Sequence, residues 1–220
     1  MSEQITFDCP GGSTADGYLS VAESANAAVV VIQEWWGLND QIRRTCEKFA
    51  DEGFTALAPD LFKGRVTQEP DEAEHMMTGL DWVGATEVDV AGAVKLLRRD
   101  HDKVAVMGFC MGGALTIISS VKLPIDAGVC YYGIPPKKAA DPAAITIPFQ
   151  GHFATNDDWC TPAAVDALEK DLEQSGTMFE LYHYDAGHGF FNDTVEAYDS
   201  ESATLSWSRT IQFLKKTLAG

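Results

Sequence analysis

The chain has 220 residues, 45% of them hydrophobic and 22% charged, which suits one globular domain able to bury a full core. Its 33 acidic against 16 basic side chains leave a net charge of −17, which argues against nucleic acid or an anionic membrane as a partner. Five cysteines at 9, 46, 110, 130 and 160, with no Cys-x-x-Cys pair, fit reduced thiols rather than a disulfide framework or a zinc site.

No leader-like N-terminus or apolar run of membrane length is visible, so the expected location is the cytoplasm. Ile5 to Phe7 and Tyr18 to Ala22 read as short strands around Pro10-Gly11-Gly12, an opening hairpin. Ala27 to Gln33 is a continuous apolar, β-branched run suited to a strand buried on both faces. Glu34-Trp35-Trp36-Gly37 follows directly. Asn39 or Asp40 then caps a helix carrying Ile42, Cys46, Phe49 and Ala50 on one face. Gly53 ends it, and Phe54 to Ala58 supplies the next strand.

Residues 59–85 break the pattern. Pro59, Gly64, Pro70 and several acids predict a loop with one short helix, and such a segment inside a compact domain is usually functional or a lid. Thr86 to Arg99 predicts an amphipathic helix with Val90, Val94 and Leu97 in register. Lys103 to Phe109 predicts the central strand, followed by a helix to about Ser120 and a strand from Ile125 to Tyr132. Pro148 to Phe153 opens another strand, whose end carries Asp157 and Asp158. Thr161 caps a helix with Pro162 at its first position and Val165, Leu168 and Leu172 on one face. Phe179 to Tyr184 is the last strand, Asp185 to Phe190 the loop beyond it, and Trp207, Ile211, Leu214 and Leu218 mark a C-terminal helix. Strands alternating with helices imply an α/β fold, residues 1–220 forming one domain around a largely parallel sheet covered on both faces.

Strand and helix meet at Gly108-Phe109-Cys110-Met111-Gly112, which has the Gly-x-nucleophile-x-Gly spacing of a nucleophile elbow with Cys in place of Ser. Glycines there permit close approach of strand and helix, and the new helix turns free N–H groups, notably that of Met111, toward whatever binds above the sulfur. The helix N-terminus also favours the thiolate. In an open α/β sheet, functional side chains gather beyond the C-terminal strand ends. Glu34, Cys110, Asp157 with Asp158, and His188 all fall at such ends.

The order Cys, acid, His is that of α/β-hydrolase triads. His188, between two glycines, suits a general base for Cys110, and Asp157 or Asp158 suits the group that orients it. His152 and His183 fall within strands, while His75 and His101 read as exposed. Glu34, beside two tryptophans, is costly if buried unpaired; it lies at a cleft rim or faces Cys110. The Trp35 N–H lies where a second oxyanion donor is commonly found. Trp36, with Phe109 and Phe190, is assigned to the substrate-pocket wall.

The sequence resembles the dienelactone hydrolase (carboxymethylenebutenolidase) family of α/β-hydrolases over nearly its whole length. The resemblance is carried by Asp8-Cys9-Pro10, Gln33-Glu34-Trp35-Trp36-Gly37, Ala58-Pro59-Asp60-Leu61-Phe62, Gly108-Phe109-Cys110-Met111-Gly112-Gly113, Pro148 leading to Asp157, and Ala186-Gly187-His188-Gly189-Phe190. It implies Cys110 as nucleophile, His188 as base, Asp157 as its partner, and Glu34 as the carboxylate that helps generate the thiolate when substrate arrives. It further implies oxyanion donors at Met111 and Trp35, a lactone or small-ester substrate, and no metal or organic cofactor. Members that take the dienelactone grip its carboxylate with arginines, one of them four residues after the histidine. Here that position is Asn192, followed by Asp193. The alternative is a non-catalytic binding or thiol-sensing domain on the same fold. An idle scaffold has no physical need for Cys, Asp, His and Glu together.

Overall fold

Strand β3 (Ala27–Ile32) is buried along its whole length, and its alternate side chains enter different cores. Val29 and Val31 join one cluster with Phe49 and Leu214, whereas Val30 and Ile32 join another with Val94 and Leu115. The cause is the two-residue period of a strand, which lets an unbroken apolar run bury every side chain only where helices cover both faces of the sheet. The structure, a computed structural model, describes residues 1–219.

The chain opens with the antiparallel hairpin of β1 (Ser2–Asp8) and β2 (Thr14–Ser20), and β2 runs antiparallel to β4 (Thr55–Pro59). The parallel part comprises β4, β3, β5 (Lys103–Phe109), β6 (Ala127–Tyr131), β7 (Phe149–Asn156) and β8 (Phe179–Gly187), adjacent in that order. The expected α/β architecture is therefore present, with eight strands in the order β1-β2-β4-β3-β5-β6-β7-β8.

Helix α1 (Asp40–Asp51) begins at Asn39, whose side chain accepts from the Ile42 N–H, and packs Ile42, Cys46 and Phe49 on one face of the sheet. Residues 59–85 hold α2 (Pro70–Thr78) and the short α3 (Trp82–Gly84) rather than one helix. The helix expected from Thr86 to Arg99 is a π turn, Ala85–Val90, leading into α4 (Ala91–Leu97). There the Ala91 N–H reaches back to the Thr86 carbonyl, while the Thr86 hydroxyl takes the Trp82 carbonyl at 2.9 Å. Val90, Val94 and Leu97 are buried as expected, together with Leu115 and Ile118 of α5 (Met111–Lys122). Val165, Leu168 and Leu172 of α6 (Pro162–Ser175) cover Phe149 and Phe153 of β7. Ile211, Leu214 and Leu218 of α7 (Ser200–Leu218) share the α1 face. No described helix is long and apolar enough to cross a membrane.

Because β3, β5, β7 and β8 are parallel, their C-terminal ends open on one edge of the molecule. Both β7 and β8 run farther than their apolar residues foretell, to Asn156 and Gly187. After a register shift between Ala154 and Asn156, Asn156 pairs with Gly187. Asp157 and His188 are the next residues on their strands, so the pairing brings the two side by side.

Candidate active site

The corner between β5 and α5 is too tight for side chains on its flanks. A Cβ on Gly108 would lie 2.2 Å from the Gly112 carbonyl oxygen, and one on Gly112 2.4 Å from that of Ile32. Cys110 turns this corner with φ 53° and ψ −115°, a strained conformation costing a non-glycine residue about 1–3 kcal/mol. Gly108→Ala is expected to lower stability by at least about 1–3 kcal/mol through overpacking, read as a lower urea midpoint at constant m. An unchanged midpoint would show that the corner tolerates a methyl group.

His188 stands beyond β8 with its Nε2 3.1 Å from the Cys110 Sγ and its Nδ1 2.7 Å from Asp157 Oδ2. The other Asp157 oxygen accepts the N–H groups of Trp159 at 2.7 Å and Cys160 at 2.9 Å. Burial works to raise the Asp157 pKa, but His188 and these two N–H groups outweigh it and hold the carboxyl below its usual range. A carboxylate can only accept, so His188 carries its proton on Nδ1 and presents an unprotonated Nε2 to the thiol. Asp158 is exposed and takes no part in this line.

Glu34 is not at a rim. It is buried, with Oε1 accepting from the Tyr132 hydroxyl at 3.1 Å and Oε2 from Asn192 Nδ2 at 2.5 Å. Burial pushes its pKa up, partly offset by Asn192, Tyr132 and the His188 ring. Burial and the Glu34 charge likewise push the Cys110 thiol well above its ordinary value, although the Met111 N–H works in the opposite direction. Both effects oppose ionisation of the sulfur, against the pull of the helix N-terminus toward the thiolate.

A depression of about 160 Å³ opens above the sulfur, and Glu34, Trp35, Trp36, Cys110 and His188 all line it. Met111 is the first residue of α5, where an N–H has no acceptor within the helix. The Trp35 N–H donates to no acceptor among the described residues. The first of these donors faces the sulfur and the second has no protein acceptor among those residues. Phe109 and Phe190, expected at the pocket wall, are fully buried in the core instead. Phe109 stacks on Phe191, because the corner that turns Cys110 outward turns its neighbour into the sheet, and Phe190 in the loop after β8 packs on Tyr132 and Tyr184.

Three side-chain roles at the site escape a reading of the sequence. Tyr132 and Asn192 grip Glu34, and Trp159, 61% exposed, lies beside Trp35 and His188. The position of Tyr132 at the end of β6 is the one signal that it belongs with the other strand-end groups. Of the remaining histidines, His152 is buried in β7 against Tyr184 and Gln150, and His183 and His75 are exposed. His101 is half-buried, with its Nδ1 2.9 Å from the Leu97 carbonyl, rather than exposed.

Residues 15–218 match the dienelactone hydrolase family. Protein usf of Aquifex pyrophilus is 32% identical, over 99% of this chain and 100% of its own. Carboxymethylenebutenolidase 1 of Cupriavidus pinatubonensis is 28% identical, over 97% of each chain. A dienelactone hydrolase-like promiscuous phosphotriesterase from metagenomic libraries shares the fold, with a TM-score of 0.83 at 21% identity over 98% of each chain. With a family match across almost the entire sheet and a full-length relative at 32% identity, the chain belongs to the dienelactone hydrolase family.

Proposed function

We propose that the protein is a cysteine-dependent hydrolase of lactones or small carboxylic esters, acting through an acyl-thioester on Cys110. The observation that carries this reading is the unbroken line from the Cys110 sulfur through His188 to the Asp157 carboxylate, at 3.1 and 2.7 Å. His188 Nε2 removes the thiol proton as the sulfur attacks the carbonyl carbon, and the N–H groups of Met111 and Trp35 receive the oxyanion. The imidazolium, held by Asp157, returns the proton to the leaving oxygen as the carbon–oxygen bond breaks. Water, deprotonated by the same nitrogen, then attacks the thioester; the carboxylic acid leaves and the thiol is restored.

Glu34 has a different part. After burial, its charge is what most opposes ionisation of the thiol in the free site, so the reactive thiolate forms as His188 accepts the proton beside a bound carbonyl. A carboxymethylenebutenolidase among the relatives supports a lactone or ester as substrate. Asn192 is committed to Glu34 and leaves no cation at the reacting end, which favours a neutral group there.

The test is acid-quenched mass analysis during p-nitrophenyl acetate turnover. One acetyl group should appear on the peptide that contains Cys110 and vanish when substrate is exhausted. Turnover without that adduct, and undiminished after alkylation of Cys110, would overturn the thioester route.

A further inference from the structure

The depression above Cys110 has a neighbour, a cleft of about 640 Å³, and Trp36 and Val195 line both spaces. One wall is the start of α1; the other comes from residues 66–68, anchored by the Thr67 N–H donating to the Trp36 carbonyl at 3.1 Å. The long segment without strand pattern is thus built into the entrance.

The cleft also differs in charge from the rest of the chain. Its lining holds Arg43 and Arg44 against one carboxylate, Asp40, in a protein of net charge −17. Arg43 meets Asp40 through one nitrogen at 3.4 Å, and that aspartate is 84% exposed; Arg44 meets Asp193 at 2.7 Å with both side chains nearly half exposed. Exposed pairs of this kind are worth about 0–1 kcal/mol, so a ligand anion can replace either aspartate at little cost.

Two further polar groups in the cleft wall have no partner. Arg43 Nε is buried without an acceptor, and Gln41, only 5% exposed, has its Oε1 without a donor. Rotated about its last bond, the same amide presents an N–H to a carboxylate. A buried polar group left unmatched costs about 1–3 kcal/mol, which a suitably placed ligand oxygen would recover.

Direction follows from the chemistry. His188 must reach the leaving oxygen, so the leaving group lies on the side of His188 and Trp159, and the acyl group lies toward Trp36. We propose that the cleft is an acyl-arm subsite, and that the preferred substrate is an ester or lactone whose acyl chain passes Trp36 and ends in a carboxylate held by Arg43 and Arg44. This rests on the hydrolase reading above and adds the distal half of the substrate to it.

The experiment compares p-nitrophenyl half-esters of linear dicarboxylic acids, over a series of chain lengths, with the same esters capped as methyl esters. At the best length the wild type should favour the free acid by about tenfold in kcat/KM, the factor supplied by one charge-assisted contact. The ratio should shrink at high salt and approach one in Arg43→Gln/Arg44→Gln, while Arg43→Lys/Arg44→Lys keeps part of it.

Calorimetric binding of the diacid monoamide against the neutral diamide reads the subsite without turnover. Discrimination in binding with no turnover of any ester would uphold the subsite and overturn the hydrolytic reading. Equal use and equal binding of acid and capped forms at every length, or a preference that survives the glutamine pair, would overturn the subsite. The wild-type ratios and their salt dependence decide the matter even where the glutamine pair fails to fold.

Discussion

Cys110→Ala is expected to lower kcat/KM for p-nitrophenyl acetate by about six orders of magnitude while leaving a folded protein. In the proposed mechanism the sulfur is the atom that bonds to the carbonyl carbon, and no second thiol or hydroxyl side chain lines the depression above it. The remaining four cysteines are buried away from solvent. His188, Asp157 and the N–H groups of Met111 and Trp35 stay in the variant. Residual hydrolysis of about 10³–10⁴ over water is what such a remnant supplies. Truncation to alanine leaves the strained φ of 53° in place and removes one sulfur from a partly exposed residue, so the melting temperature should move little.

A companion measurement uses the intact thiol. Burial and the Glu34 carboxylate oppose ionisation of Cys110, so iodoacetamide should label it more slowly at pH 8 than it labels a free thiol. Glu34→Gln removes the charge that opposes the thiolate and should speed labelling. Full ester turnover by Cys110→Ala would take the sulfur out of the chemistry, whatever its labelling rate.

The parts of this molecule legible in the sequence are those governed by near neighbours. Lys103–Phe109 and the start of α5 are bounded as expected, because an apolar run followed by a glycine corner has one economical path. The cap of α6 at Thr161 and its Val165, Leu168, Leu172 stripe are equally local. The burial cost of Glu34 could be read from its apolar surroundings, but its partners could not. Tyr132 is 98 residues away and Asn192 158, and neither carries a local sign of meeting a carboxylate.

Aromatic type was a poor guide to position. Phe109 and Phe190 flank the site in sequence, yet the direction of a side chain at a strand-to-helix corner or in a strand-end loop depends on backbone dihedrals that composition does not reveal. The extra length of β7 and β8 was hidden for a related reason. Thr155, Asn156 and Asp185 are polar and exposed, and their pairing is imposed by the neighbouring strand rather than by hydrophobicity.

That extra length gives the second large effect its logic. Asp157→Asn is expected to lower kcat by about 10⁴-fold, as loss of the orienting carboxylate does in related triads. The Trp159 and Cys160 N–H groups bind Asp157 Oδ1, so an asparagine keeps its oxygen there and turns its amide nitrogen toward His188 Nδ1. A donor at that place makes Nδ1 the acceptor and moves the ring proton to Nε2. The histidine then faces the Cys110 thiol with a proton where the mechanism needs a lone pair. Asp158→Asn, altering an exposed side chain outside the line, should retain nearly full activity.

Stability offers a check independent of rate. The folded-state pKa of Asp157 is depressed, so its contribution is fully present above the unfolded value of about 4 and is lost as pH falls through the lower folded value. The gap in unfolding free energy between wild type and Asp157→Asn should be widest near neutrality and close in acid. A gap that widens on acidification, or a variant active within tenfold of wild type, would mean that this carboxylate does not set the tautomer of His188.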